Sequence, residues 1–147
     1  MKKTIMLFAL IIGTMLALSS CGKKGCTDAV ATNYCEKCKK DDGSCTYKGA
    51  VQFWYKKATS DSLIADGSTS LTFYVDGAVI GSYAATVYFT GDPACGQASV
   101  VRSEKDLGTS KSKTSTYSVK DQTGFEVWSG SVTYDGTKSC TSYELTN

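Results

Sequence analysis

Seven cysteines and no histidine set the chemistry open to this chain of 147 residues. Without His there is no Ser-His-Asp triad, no Cys-His dyad and no His-ligated metal. The cysteines stand at Cys21, Cys26, Cys35, Cys38, Cys45, Cys95 and Cys140. Cys21 directly follows an apolar run and belongs to a separate signal. The others form an even set, which in an exported chain reads as disulfides. Cys26, Cys35, Cys38 and Cys45 cluster, and Cys95 and Cys140 lie far downstream. Economy therefore predicts two bridges inside the cluster and a third, Cys95–Cys140, across the main domain. The order of pairing within residues 26–45 stays open. A direct Cys35–Cys38 bridge is disfavoured, because so short a ring is mostly a redox-active arrangement.

Three sharper chemistries compete for this cluster. Cys35-Glu36-Lys37-Cys38 is a C-x-x-C, a redox pair when it sits between a strand and a helix. Its flanks here are polar, with no apolar strand before and no amphipathic helix after. A four-cysteine zinc site would need the spacing C-x8-C-x2-C-x6-C, of which one half matches zinc-binding patterns. Asp28, Asp41 and Asp42 beside Gly43 and Ser44 lack the alternate spacing and closing Glu of a calcium loop. Asx turns at a tight glycine explain them better. The expectation is no metal and no cofactor.

Met1-Lys2-Lys3 is cationic, Thr4 to Leu18 is almost unbroken apolar sequence, and Leu18-Ser19-Ser20-Cys21 follows. A cationic start, a short apolar stretch and small residues describe a secretory signal rather than a spanning helix, which needs about 20 apolar residues. The tetrapeptide resembles the lipobox of bacterial lipoproteins. That resemblance implies cleavage before Cys21 and diacylglycerol on its thiol. Acyl chains hold a protein to a bilayer at about 0.8 kcal/mol per buried CH₂. Cleavage would remove Lys2 and Lys3 and no acid, turning a net charge of +2 into near neutrality. A neutral chain offers no field for nucleic acid.

Gly25-Cys26-Thr27-Asp28, Ala31-Thr32-Asn33-Tyr34 and Asp41-Asp42-Gly43-Ser44-Cys45-Thr46-Tyr47 together resemble a short cysteine module of exported Bacteroidota proteins. Leu71 to Gly81 resembles small repeat-like modules on bacterial envelope lipoproteins, and the later Tyr117-Ser118-Val119, Gly124 and Trp128-Ser129-Gly130 resemble lipoproteins of Bacteroidota. The resemblance implies an extracytoplasmic protein in which the module is a spacer. Cys35 and Cys38 are additions to the usual pattern.

The elements that must position these residues are strands. Val51, Phe53 and Tyr55 alternate with Gln52, Trp54 and Lys56; Leu71, Phe73 and Val75 alternate with Thr72 and Tyr74. Asp76-Gly77 between two such runs is a type I′ hairpin signal. Ala84 to Phe89 and Ala98 to Arg102 read as further strands. Ala58 to Ser70 and Glu104 to Ser115 read as polar loops. Thr116 to Val119 and Phe125 to Trp128 flank a turn, Val132 and Tyr134 follow, and the last strand holds Cys140 to Leu145. No 3.6-residue period is sustained after the signal. The fold class expected is all-β: an antiparallel β-sandwich of 7–8 strands, immunoglobulin-like or transthyretin-like, preceded by a small disulfide-rich segment. The organisation expected is a lipoprotein signal peptide over 1–20, a lipidated tether over 21–25, a Cys-rich module over 26–47 and a β-sandwich domain over 48–147.

Nothing here names a reaction. The acids Asp61, Asp66, Asp92, Asp106, Asp121, Glu126 and Asp135 are scattered over polar stretches, and there is neither a phosphate loop nor a nucleophile elbow. Trp54 and Tyr74, on faces assigned outward, are the candidate ligand-binding residues, since exposed aromatics mark glycan, peptide or protein sites. The expectation is a non-enzymatic, lipid-anchored envelope protein with an envelope protein or glycan as partner. Its place would be the outer membrane, with the side left open because Lys23-Lys24 lacks the acids of a surface signal. The alternative is a thiol–disulfide or zinc protein using Cys35 and Cys38.

Overall fold

The computed structural model describes residues 22–146. The signal, the lipobox and Cys21 lie outside the described residues. Two sheets face one another. The smaller has the order β4-β1-β7, from β1 (Tyr47–Trp54), β4 (Val101–Gly108) and β7 (Thr141–Glu144). The larger has the order β3-β2-β5-β6, from β2 (Ser70–Val75), β3 (Ala78–Ala84), β5 (Ser112–Asp121) and β6 (Glu126–Asp135). All pairings are antiparallel except β1–β7, in which Phe53 lies beside Tyr143 in parallel register. The all-β sandwich read from alternation is the fold observed. Among the described residues no helix is long and apolar enough to cross a membrane.

Alternation explains where the core sits. Val51, Phe53, Leu71, Phe73, Val75, Val119, Val132 and Tyr134 are buried between the sheets. Many of the aromatics go inward as well. The Phe53 ring centre lies 5.2 Å from that of Tyr117 and 5.8 Å from that of Phe73, both at tilted angles, and Phe73 lies 4.9 Å from Tyr83. Such pairs add about 0.5–1.5 kcal/mol each beyond burial. Gly49 lets the sheets meet at one end: a Cβ there would come within 2.9 Å of Tyr134 Cβ. The Tyr134 hydroxyl crosses to Ser103 Oγ at 2.8 Å. Asp76 and Gly77 take φ of 48° and 79°, the left-handed pair the hairpin reading requires.

Three expectations are corrected. Ala58 to Ser70 is not a loop throughout, because α1 (Lys57–Ala65) occupies most of it. Its inward face is Thr59, Ser60 and Leu63, so the usual apolar stripe is missing. Ser60 Oγ instead donates to Ala85 O at 2.7 Å, and Lys57 pairs with Asp61 one turn on. The helix ends in a Schellman cap: Gly67 N–H donates to Ile64 O, Ser68 N–H to Leu63 O, and Gly67 has φ 88°. Next, Glu104 to Ser115, which reads as loop, supplies the edge strand β4 as far as Gly108 and the start of β5 from Ser112. Only Val101 and Leu107 of this edge strand are buried, and pairing with β1 rather than composition makes it a strand. Finally, Ala84 to Phe89 adds no strand. β3 stops at Ala84, and the chain from Ala85 to Val100 is irregular.

That irregular segment lies along the outer side of β1. Phe89 N–H donates to Tyr55 O. Gln52 Nε2 donates to Pro93 O at 2.7 Å and Ser142 Oγ at 3.2 Å, and Gln52 Oε1 accepts from Gly96 N–H. The Cys95–Cys140 disulfide fastens the segment just before β7.

Candidate functional site

The cysteine module resolves into two bridges, Cys26–Cys45 and Cys35–Cys38, with Cα separations of 4.7 and 5.3 Å. The second corrects the expectation against a direct Cys35–Cys38 bond. The turn from Cys35 to Cys38, closed by Cys38 N–H to Cys35 O at 2.9 Å, brings the two side chains together. The remaining module residues act through hydrogen bonds. Asn33 donates to Ser44 O at 2.6 Å and accepts from Thr46 N–H at 2.8 Å. Asp41 and Asp42 accept from Gly43 and Ser44 N–H, the Asx chemistry expected of them.

Asp28 joins the module to the sandwich. Its carboxylate accepts from Tyr47 Oη at 2.8 Å and pairs with Lys111 Nζ at 2.7 Å on the β4–β5 turn. The Lys111 contact, then Tyr47 and the Val30 N–H, hold the Asp28 pKa down to about 2. At the same end of the sandwich, Asp76 pairs with Lys105, which places its pKa at about 2 as well.

The two aromatic candidates part company. Trp54 is 4% exposed, so its assignment to an open face is corrected. Its sheet face is covered by the irregular segment, which period-two alternation cannot reveal. Tyr74 is half-buried, with Lys120 Nζ 5.6 Å from its ring centre.

Most of the scattered acids are held by local partners. Asp61 pairs with Lys57, Asp92 accepts from Ser142 Oγ, and Asp106 accepts from Gly108 N–H. Asp121 accepts from Thr123 and Phe125 N–H, and Asp135 from Thr137 N–H. These are turn and strand-end roles. Asp66 and Glu126 border open clefts, as does Asp121.

An open groove of about 570 Å³ lies at the end of the sandwich remote from the module. The C-terminal turn of α1 (Leu63, Asp66, Gly67, Ser68) forms one wall; the β5–β6 turn (Asp121 to Thr123, Phe125) and Val127 form the other. Gln122 ties the walls together: its side chain donates to Gly67 O at 3.0 Å and accepts from Thr69 N–H at 2.8 Å. Phe125 stands 69% exposed beside this groove, and Ile64 on α1 is 46% exposed. An open ring beside carboxylate and hydroxyl groups can hold a ligand by stacking and hydrogen bonds. Sequence reasoning places Phe125 at the head of a strand, but β6 begins at Glu126 and leaves Phe125 outside it, so alternation assigns it no open face.

A second cleft, about 430 Å³, runs between the free edge of β3 and the start of β4. Tyr83 and Arg102 both border it, and Tyr83 Oη and Arg102 Nε are buried without a hydrogen-bond partner. Burial raises the Tyr83 phenol pKa, with the nearby Tyr55 adding to the shift. Ser99 on its rim holds φ 67°, uncommon for a residue with a side chain. Compared with known protein families, with curated proteins and with solved structures, the chain matches none.

Proposed function

We propose that the chain is a non-catalytic, lipid-anchored protein of the bacterial cell envelope, acylated at Cys21 and held at the outer membrane. Its sandwich presents the α1 end to a glycan or envelope-protein partner. The observation supporting this reading is the placement of the two ends. Gly22, next to Cys21, leads into the module whose Asp28 meets Tyr47 and Lys111. The groove bearing Phe125 lies where β1 finishes, at the other end. A tether at one end and an open, aromatic-flanked groove at the other suit a domain that reaches away from a bilayer. Metabolic labelling with an alkynyl fatty acid tests the anchor. Label on the wild type and none on Cys21→Ala is expected; an unlabelled protein recovered with free thiols from cytosol would overturn it. Glycan-array and cross-linking signals that fall with Phe125→Ala, with fold intact, are expected for the groove.

The Cys35–Cys38 pairing supports a second reading, thiol–disulfide exchange at the module. Cys35 is half-buried rather than enclosed. Thiol trapping in a graded dithiol buffer separates the readings: exchange requires this bridge to open while Cys26–Cys45 stays closed. With both bridges formed, a four-cysteine zinc site would require reduction first.

A further inference from the structure

Four lysines from two segments are gathered next to the proposed point of acylation. Lys39 N–H donates to Lys23 O at 2.9 Å, and Gly25 N–H donates to Lys40 O at 3.1 Å. Lys24 and Lys40 face each other as a parallel bridge. Gly22 lies so close to Lys39 that a Cβ there would sit 2.7 Å from Lys39 Cβ. The Cys35–Cys38 bond closes the turn leading into Lys39 and Lys40, and Lys37 lies inside that turn. All five lysines are exposed, and among the described residues none forms an ion pair. By contrast, Lys56, Lys57, Arg102, Lys105, Lys111 and Lys138 each meet a carboxylate. The other lysines outside ion pairs, Lys48, Lys113 and Lys120, stand apart on β1 and β5. The nearest acids are Glu36, Asp41 and Asp42. Asp41 and Asp42 each have an oxygen committed to the turn at Gly43 and Ser44.

Like charges on adjacent backbones repel, a cost that counter-charge relieves; Lys24 helps to lower the Asp42 pKa, so that carboxylate supplies part of it, and an anionic surface would supply more. An extended chain advances roughly 3.5 Å per residue. Lys23 and Lys24 therefore stay within about 10 Å of Cys21, about one Debye length at 0.1 M ionic strength. Lys39 and Lys40 are held at the same level by the ribbon.

Resting on the reading of Cys21 as acylated, we infer that the ribbon of Lys23, Lys24, Lys39 and Lys40 docks on anionic lipid headgroups. It thereby presses the cysteine module onto the bilayer and stands the sandwich with its α1 end outward. Each lysine near an anionic surface strengthens binding about five-fold, and salt weakens the effect.

The test uses the acylated full chain reconstituted into vesicles of phosphatidylcholine alone or of phosphatidylcholine with phosphatidylglycerol. Surface lysines are labelled with an N-hydroxysuccinimide ester and read by mass spectrometry. Labelling at Lys23, Lys24, Lys39 and Lys40 is expected to fall about five-fold or more on the anionic vesicles. Labelling at Lys57 on α1 should stay unchanged, and the protection should vanish in high salt. Lys39→Gln with Lys40→Gln should abolish protection of Lys23 and Lys24, and Lys39→Arg with Lys40→Arg should keep it. Equal labelling on both vesicles, with the protein floating on both, would overturn the inference and leave the anchor intact. A chain that proves unacylated yet floats on phosphatidylglycerol vesicles alone would remove the anchor and keep the docking role. One that floats on neither removes both. Protection on neutral vesicles only after adding an acidic polysaccharide would assign the ribbon to a glycan and overturn the lipid assignment.

Discussion

Between Cys26 and Cys45 the chain buries only Cys26, Ala31, Cys38 and Cys45, whereas from Tyr47 to Leu145 it buries an aromatic and aliphatic core that includes Tyr55, Phe53, Phe73 and Tyr134. The module lacks the apolar surface to fold by burial. It is held by two disulfides and by side chains, Asn33, Asp41 and Asp42, that satisfy backbone groups directly. The sandwich has the surface, and its polar side chains do specific jobs within it. The comparison teaches that cross-links substitute for a core where a segment is too small to own one. The two regions meet at Cys26, Ala31 and Cys45, which pack into the same cluster as Tyr47 and Tyr134.

The comparison can be broken at several points. Phe53→Ala removes a fully buried ring that meets Phe73, Tyr117 and Tyr143. It should cost about 3–5 kcal/mol, read as a large fall in Tm of the whole chain. Replacing Cys26 and Cys45 with Ser should cost about 2–4 kcal/mol. Hydrogen exchange should show the loss concentrated in residues 26–46, with β2, β5 and β6 still protected. Equal loss of protection in β5 would show that the module and sandwich are one cooperative unit. Asn33→Ala deletes two bonds to the 44–46 segment and should cost about 1–2 kcal/mol, with little effect on exchange in the sandwich.

Acid should produce the smallest change. The Asp28 pKa is lowered from 3.8 to about 2 in the folded chain. Its contribution is complete above the unfolded value and is lost as pH falls through about 2. NMR shifts of Tyr47 and Val30 should therefore move around a midpoint near pH 2 while core resonances hold. Lys111→Met should raise the Asp28 midpoint and move that change to higher pH.

What the sequence made legible was whatever depends on neighbours along the chain. Leu71, Phe73 and Val75 alternate with Thr72 and Tyr74, and Asp76-Gly77 must turn left-handed; both hold. The downstream bridge Cys95–Cys140 also forms. Features set by distant chain were not legible. α1 turns Thr59 and Ser60 inward because Ala85 O awaits a donor there, so no apolar period announces it. Its stop, Asp66-Gly67, was visible and unused. β4 is a strand because β1 offers an edge, not because Arg102-Ser103-Glu104-Lys105-Asp106 prefers extension. Trp54 is covered by a loop tens of residues away, and Phe125 is left open by a turn. Of the candidate groove, therefore, almost nothing could be read in advance.

The parallel pairing of β1 with β7 has a consequence for how the molecule is made. Strand β1 sits between β4 and β7, so its outer edge stays empty until residues 141–144 arrive. Leu145 N–H then donates to Trp54 O at 2.8 Å. Contacts of such long sequence separation form late and fold slowly. Docking of β7, which completes the smaller sheet, therefore waits until residues 141–145 are free to pair.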